Sequence, residues 1–206
     1  WQADQILFSI GRSTQDDEPD KKYIKHLTNS ERYPFVSASA VQNIIYGSDS
    51  IKDANQLIIT EGIVDAILGT QAGYSVLSPV TVRFSQNQVQ QLVQLAEGAS
   101  TVYIVNDNEE SDVGLKGALA TAEALYRQGK DVRLVTLPRD SDQEKVDLAD
   151  FLQSENNLEP ILNTAPGYLH FKIHQLHQFD GAERQRLLKQ TAQLLTRLPS
   201  FEQEPY

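Results

Sequence analysis

Hydrophobic positions crowd into short, almost unbroken runs in the middle of this chain. Gln56–Thr60 and Thr101–Asn106 read as buried strands, and Ser75–Leu77 and Val132–Leu137 as two more. Between them the spacing changes to helical. Ile63–Leu68 ends at Gly69, Asn87–Ala96 follows a capping residue at Ser85, and Leu115–Gln128 stops at Gly129. Strands alternating with helices predict a parallel sheet with helices on its faces. From Asp147 onward the pattern is wholly helical: Leu148–Leu152, Leu158–Leu162, Tyr168–Phe179 behind Pro166-Gly167, and Ala182–Leu198. Upstream, Ile6–Arg12 suggests a strand, the acidic Ser13–Lys21 a loop, Lys22–Lys25 an edge strand, and Ala38–Tyr46 helical or mixed spacing. The expected fold class is α/β, a parallel sheet flanked by helices, with a small mixed N-terminal segment (1–53) and a helical C-terminal subdomain (153–206) around a central domain (54–152).

Both strong strands run into carboxylates. Gln56–Thr60 leads to Glu61-Gly62 with Asp65 four residues on, and Thr101–Asn106 leads to Asp107-Asn108-Glu109. Residues just past the carboxyl ends of parallel strands line the crevice where α/β proteins bind ligands. Four acids gathered there repel one another and lose solvation. A divalent cation would remove both costs, because Mg²⁺ takes hard oxygen ligands from a few carboxylates and from substrate phosphates. Asp65 lies one helical turn from Glu61, and Asp107 and Glu109 alternate, so each pair can share a face. Taken singly, Glu-Gly-x-x-Asp could be a helix start favoured by its dipole, and Asp-Asn-Glu an acidic loop continued by Glu110 and Asp112. Their recurrence at equivalent strand ends is what argues for a site.

Charge sharpens that picture. Of the net −10, residues 54–154 hold −7, with 14 acidic and 7 basic side chains. An acidic surface repels nucleic acid unless metal or another domain intervenes. With no Cys among 206 residues, the sequence excludes disulfides and thiolate zinc sites within itself, and weakly favours an intracellular setting. No apolar stretch approaches 18 residues, so no membrane partner is expected. The chain opens on Trp1-Gln2-Ala3-Asp4 rather than on Met and is read as a piece of something longer.

Glu61-Gly62-Ile63-Val64-Asp65-Ala66, a strand ending in Asp107-Asn108-Glu109, and Gly114-Leu115-Lys116-Gly117-Ala118 together resemble the Toprim domain. Bacterial-type primases, type IA and II topoisomerases and some nucleases share that fold. Its signature is a Glu at one strand end and Asp-x-Asp at another; here Glu109 replaces the second Asp. Lys22-Tyr23-Ile24, Tyr46-Gly47, Gln71-Ala72-Gly73 and Lys145-Val146-Asp147-Leu148-Ala149-Asp150-Phe151 are similar to segments of the polymerase domain of DnaG-type primases. In the last of these only Asp147 matches the first of the family's two aspartates; Ala149 stands at the second position, with Asp150 one residue later.

The resemblance implies a DNA primase core that copies single-stranded DNA into short RNA primers from nucleoside triphosphates. It assigns Asp107, Glu109 and Glu61 to catalysis and, with Asp65 and Asp147, to Mg²⁺ or Mn²⁺, as two ions once substrate is bound. Glu61 could instead act as a general base if its acidic neighbours raise its pKa. Arg12, Lys22 and Lys25 are candidates for triphosphate or template contacts, though they read equally well as solvated bases. An upstream zinc-binding domain and a replicative helicase are the implied partners, in bacterial, phage or plasmid replication. The alternatives are a Toprim nuclease cutting phosphodiesters with the same metals, and a non-catalytic metal-binding α/β module. His170, His174 and His177 form one helical stripe, but Leu169, Phe171, Ile173 and Leu176 interleave with them, so the helix is read as a packing element.

Overall fold

The computed structural model describes residues 9–12, 23–26, 44–51, 54–79, 84–109, 113–140 and 145–196. Its centre is a five-stranded sheet built from β3 (Ile45–Tyr46), β4 (Gln56–Thr60), β5 (Val76–Pro79), β6 (Thr101–Asn106) and β8 (Asp131–Thr136), in the order β3-β5-β4-β6-β8. The pairs β5·β4, β4·β6 and β6·β8 are parallel. The edge pair β3·β5 is antiparallel. A separate antiparallel pair joins β1 (Ser9–Arg12) to β2 (Tyr23–His26). A two-residue ribbon joins β7 (Asn108–Glu109) to β9 (Lys145–Val146).

Alternation along the strands sorts their side chains onto two faces. Leu57, Ile59, Val102, Ile104, Val132 and Leu134 point to one core, where they meet α2 (Gln86–Leu95), α3 (Val113–Arg127), α6 (Tyr168–Gln175) and α7 (Gly181–Leu195). Ile58, Tyr103, Val105 and Val135 point to the other, against α1 (Ile63–Gln71), α4 (Leu148–Gln153) and α5 (Glu159–Thr164). The continuous apolar runs seen in the sequence are thus strands buried on both faces, as a parallel sheet between helical layers requires.

Local chemistry sets the helix ends. Ser85 caps α2 in a reciprocal box: its Oγ accepts the Gln88 N–H at 3.2 Å, and Gln88 Oε1 accepts the Ser85 N–H at 2.8 Å. The fully buried Gln88 also donates from Nε2 to the Ile44 carbonyl at 2.7 Å, tying this cap to β3. Ser85→Ala is expected to cost about 1 kcal/mol, read as a melting temperature lowered by roughly 2–4 °C. Gly129 stands past the end of α3 at φ +79°, the left-handed conformation that a helix stop there favours.

Several expectations change. The helix expected to stop at Gly69 runs through it to Gln71, and the one expected over Tyr168–Phe179 ends at Gln175. Ala38–Tyr46 does not continue as a helix through its end, since Ile45–Tyr46 is a strand; residues 38–43 lie outside the described residues. Leu158 precedes its helix rather than starting it, because α5 opens at Glu159 with Pro160 in its first turn. No helix among the described residues is long and apolar enough to cross a membrane.

Candidate active site

From β4 the chain passes through α1 to β5 on one side, and then through α2 to β6 on the other. The order therefore reverses between β4 and β6, and their carboxyl ends border the crevice where such sheets bind ligands. Register places Thr60 opposite Val105. Glu61, the next residue after β4, therefore emerges beside Asn106 and Asp107, on strands that in general lie about 4.8 Å apart. A small crevice of about 30 Å³ opens here, lined among others by Thr60, Glu61, Asn106, Gly117 and Thr121.

Backbone anchors hold both strand ends. Ser78 on β5, fully buried, donates its hydroxyl to the Glu61 carbonyl at 3.1 Å, and Thr60 Oγ1 donates to the Gly62 carbonyl at 3.2 Å. Asn108 Nδ2 donates to the Leu137 carbonyl at 2.8 Å, fixing the segment after β6 to the end of β8. Sequence reasoning missed Ser78 and Asn108, because their partners lie 17 and 29 residues away.

A third acidic segment is brought to the same place by two long-range contacts. Asp65, in the first turn of α1 and only 5% exposed, accepts the Ala149 N–H on Oδ1 at 2.9 Å. Asp147 precedes α4 and caps it, accepting the Asp150 N–H at 2.8 Å. The β7·β9 ribbon, with Asn108 opposite Val146 and Glu109 opposite Lys145, then clips the Asp107 segment to the Asp147 segment.

The result is a concentrated negative field. Burial pushes the Asp65 carboxyl up to about 7, reinforced by the charges of Asp147 and Asp107 and opposed by the Ala149 N–H and by Lys145. Burial and the neighbouring Asp147 also raise Asp150 above the usual carboxylate range. Lys145 forms an ion pair from Nζ to Asp107 Oδ2, where the Asp107 side chain is 11% exposed and the lysine 43%. Gly62 permits the Asp65 conformation, since a Cβ at residue 62 would collide with Asp65 Oδ2.

Asp65 is therefore in electrostatic range of both Asp107 and Asp147, with Glu61 at the neighbouring strand end. Glu109 closes β7, but its side chain lies outside the described residues. Arg12 ends β1 and Lys25 lies in β2; their side chains, and Lys22 altogether, lie outside the described residues as well. Among the described residues β1 and β2 pair only with each other. No group of three or more His, Asp or Glu among the described residues converges as a ready-made metal cage. His174 and His177 are exposed, with ring centroids 6.3 Å apart. The donor set nevertheless suits a hard cation: it is all oxygen and partly buried, and a protein ammonium already rests on one of its carboxylates.

These elements are similar to those of known proteins. The Toprim domain family matches residues 56–157, which takes in Glu61, Asp65, Asp107, Glu109 and Asp147. The DNA primase of Staphylococcus epidermidis is 26% identical over 141 residues, 68% of this chain but 22% of that protein. A solved DnaG catalytic core superimposes with a TM-score of 0.69 at 18% identity, covering 95% of this chain and 61% of that one. A DnaG primase catalytic domain bound to single-stranded DNA gives 0.67 at 18% identity, with coverage of 95% and 61%. The chain thus spans about a fifth of the bacterial primase it matches and under two thirds of these catalytic cores.

Proposed function

Residues 56–157 form a Toprim domain in a DnaG-like frame, and on that premise we propose that this chain is the catalytic core of a DNA primase. It would join nucleoside triphosphates into short RNA primers on a single-stranded DNA template. The observation that carries the reading is the meeting of three acidic segments at the β4/β6 switch point: Glu61 after β4, Asp107 after β6, and Asp147 clipped to them through β7·β9 and Asp65.

Toprim domains generally bind divalent metal, and Mg²⁺ or Mn²⁺ is the cation proposed here. In primer synthesis a 3′-hydroxyl attacks an α-phosphate, and charge builds on the attacking and leaving oxygens. Two divalent ions, when bound, would supply the positive charge that stabilises both. We assign Asp107, Glu109 and Asp147 to holding them, assisted by Glu61, with Asp65 completing the cluster from its buried side. Glu61 is also the candidate for accepting the proton of the attacking hydroxyl. The residues hold few enough ligand positions that triphosphate oxygens complete the coordination, which is the ordinary habit of Mg²⁺.

Arg12, Lys22 and Lys25 are proposed to meet the triphosphate or the template backbone, where positive charge must offset phosphate. An acidic chain grips DNA weakly by itself. A zinc-binding domain and a replicative helicase are the proposed sources of further grip.

Incubation with a single-stranded DNA template, labelled nucleoside triphosphates and Mg²⁺ or Mn²⁺ is expected to give short RNA products, and chelation to abolish them. Cleavage of labelled DNA without nucleotides would replace this reading with a nuclease. Inertness in both assays would leave a non-catalytic module.

A further inference from the structure

Lys145 occupies an unusual place for a surface lysine. Its strand β9 has two residues, and pairing with β7 sets Lys145 opposite Glu109. From there its ammonium reaches back to Asp107, the acid at the end of β6. The same ammonium is close enough to Asp65 to favour its ionised form, against the effects of burial and of Asp147 and Asp107. One flexible side chain thus supplies positive charge to a cluster whose other described members are carboxylates. Asp107 is nearly enclosed, whereas Lys145 is 43% exposed and so has a path into solvent.

We propose that Lys145 is a displaceable counter-ion: it neutralises Asp107 in the metal-free protein, yields that carboxylate to the divalent ion, and then serves the incoming triphosphate. This rests on the proposed metal role of Asp107. An ammonium and a divalent cation on one carboxylate compete for its charge and repel each other electrostatically. Lysine suits such an exchange, being a compact charge on a four-carbon stem without the fixed fork that would lock an arginine onto a carboxylate. The exchange keeps the acids from repelling one another in the empty site and leaves an ammonium beside the phosphates once the metal has arrived. Lys145 is thus a positioning and substrate-binding group, outside the set of metal ligands.

The test is direct Mn²⁺ binding, followed by electron paramagnetic resonance without nucleotide, in the wild type and in Lys145→Met, Lys145→Arg, Lys189→Met and Asp107→Asn. Removing a competing ion pair of ordinary strength should tighten Mn²⁺ binding by about two- to fivefold in Lys145→Met. Lys145→Arg should stay at or below wild-type affinity. Lys189→Met removes the same charge from the exposed face of α7 and should change nothing. In primer synthesis, Lys145→Met should raise the KM for nucleoside triphosphate more than it lowers kcat, with Lys145→Arg restoring most of the loss.

Unchanged or weaker Mn²⁺ binding in Lys145→Met would overturn the proposal. Equal tightening in Lys189→Met would overturn it too, by reducing the effect to net charge. If Asp107→Asn binds Mn²⁺ as the wild type does, or if no variant binds it, the metal assignment itself fails, whatever Lys145 does.

Discussion

Asp107→Asn is expected to lower metal-dependent primer synthesis by about a thousandfold or more, and Glu61→Gln to do the same, while both proteins remain folded. A thousandfold corresponds to about 4 kcal/mol of transition-state stabilisation, within reach of one charged group acting on charge that builds during reaction. The structural cost should be small by comparison. Asn keeps the shape of Asp107 and gives up its charge, and the lysine it abandons is 43% exposed and is re-solvated by water. An ion pair with one partner this open to solvent contributes on the order of 1 kcal/mol. Glu61 is held through its backbone carbonyl by Ser78, a contact that Gln leaves intact. Rates of primer synthesis together with thermal melts separate the two effects. Activity retained in both variants would remove Glu61 and Asp107 from the chemistry; activity lost together with folding would make them structural.

The strands bearing these acids were legible because burial on both sheet faces leaves an unbroken apolar run. Gln56–Thr60 and Thr101–Asn106 were expected with the bounds the structure gives them. Ser85 and Gly129 were legible for another reason: capping and left-handed turns are decided by residues within one helical turn. The rest depends on partners far along the chain. Ile45–Tyr46 is a strand because Ser78 and Pro79 pair with it and Gln88 holds the Ile44 carbonyl, and no local periodicity announces that. The β7·β9 ribbon is just as short, and its two-residue strands carry no pattern. Through it Lys145, which the sequence offered only as part of a similar segment, becomes the ion-pair partner of Asp107. Asp65 likewise looked like a candidate ligand by its spacing from Glu61. Its bond to the Ala149 N–H, 84 residues away, adds a second task, that of carrying the Asp147 segment to the site.

That second task makes Asp65→Asn the other variant of large effect, this time on stability. In the folded protein burial raises the Asp65 carboxyl to about 7, with Asp147 and Asp107 adding to the effect. In the unfolded chain an Asp titrates near 3.9. Between these values the folded protein keeps a proton that the unfolded chain has released, so stability is lost as pH rises from about 4 to 7 and levels off above. The full difference would amount to about 4 kcal/mol, and relaxation around the ionised group should bring it to about 2 kcal/mol. Asn is close in shape to the protonated acid, and its Oδ1 can still accept the Ala149 N–H. Melting in the presence of a chelator should therefore fall across this window for the wild type and stay flatter for Asp65→Asn. The variant should be the more stable by roughly 2 kcal/mol at pH 8 and indistinguishable at pH 4. Taking the difference between the two proteins cancels the carboxylates remote from Asp65, whose titrations they share. Saturating Mg²⁺ should shrink the gap, because a cation among Asp107 and Asp147 offsets the charges that help hold the proton on Asp65. Parallel curves without metal would mean that Asp65 is already ionised at neutral pH, and that the acids around it are better neutralised than Lys145 alone explains.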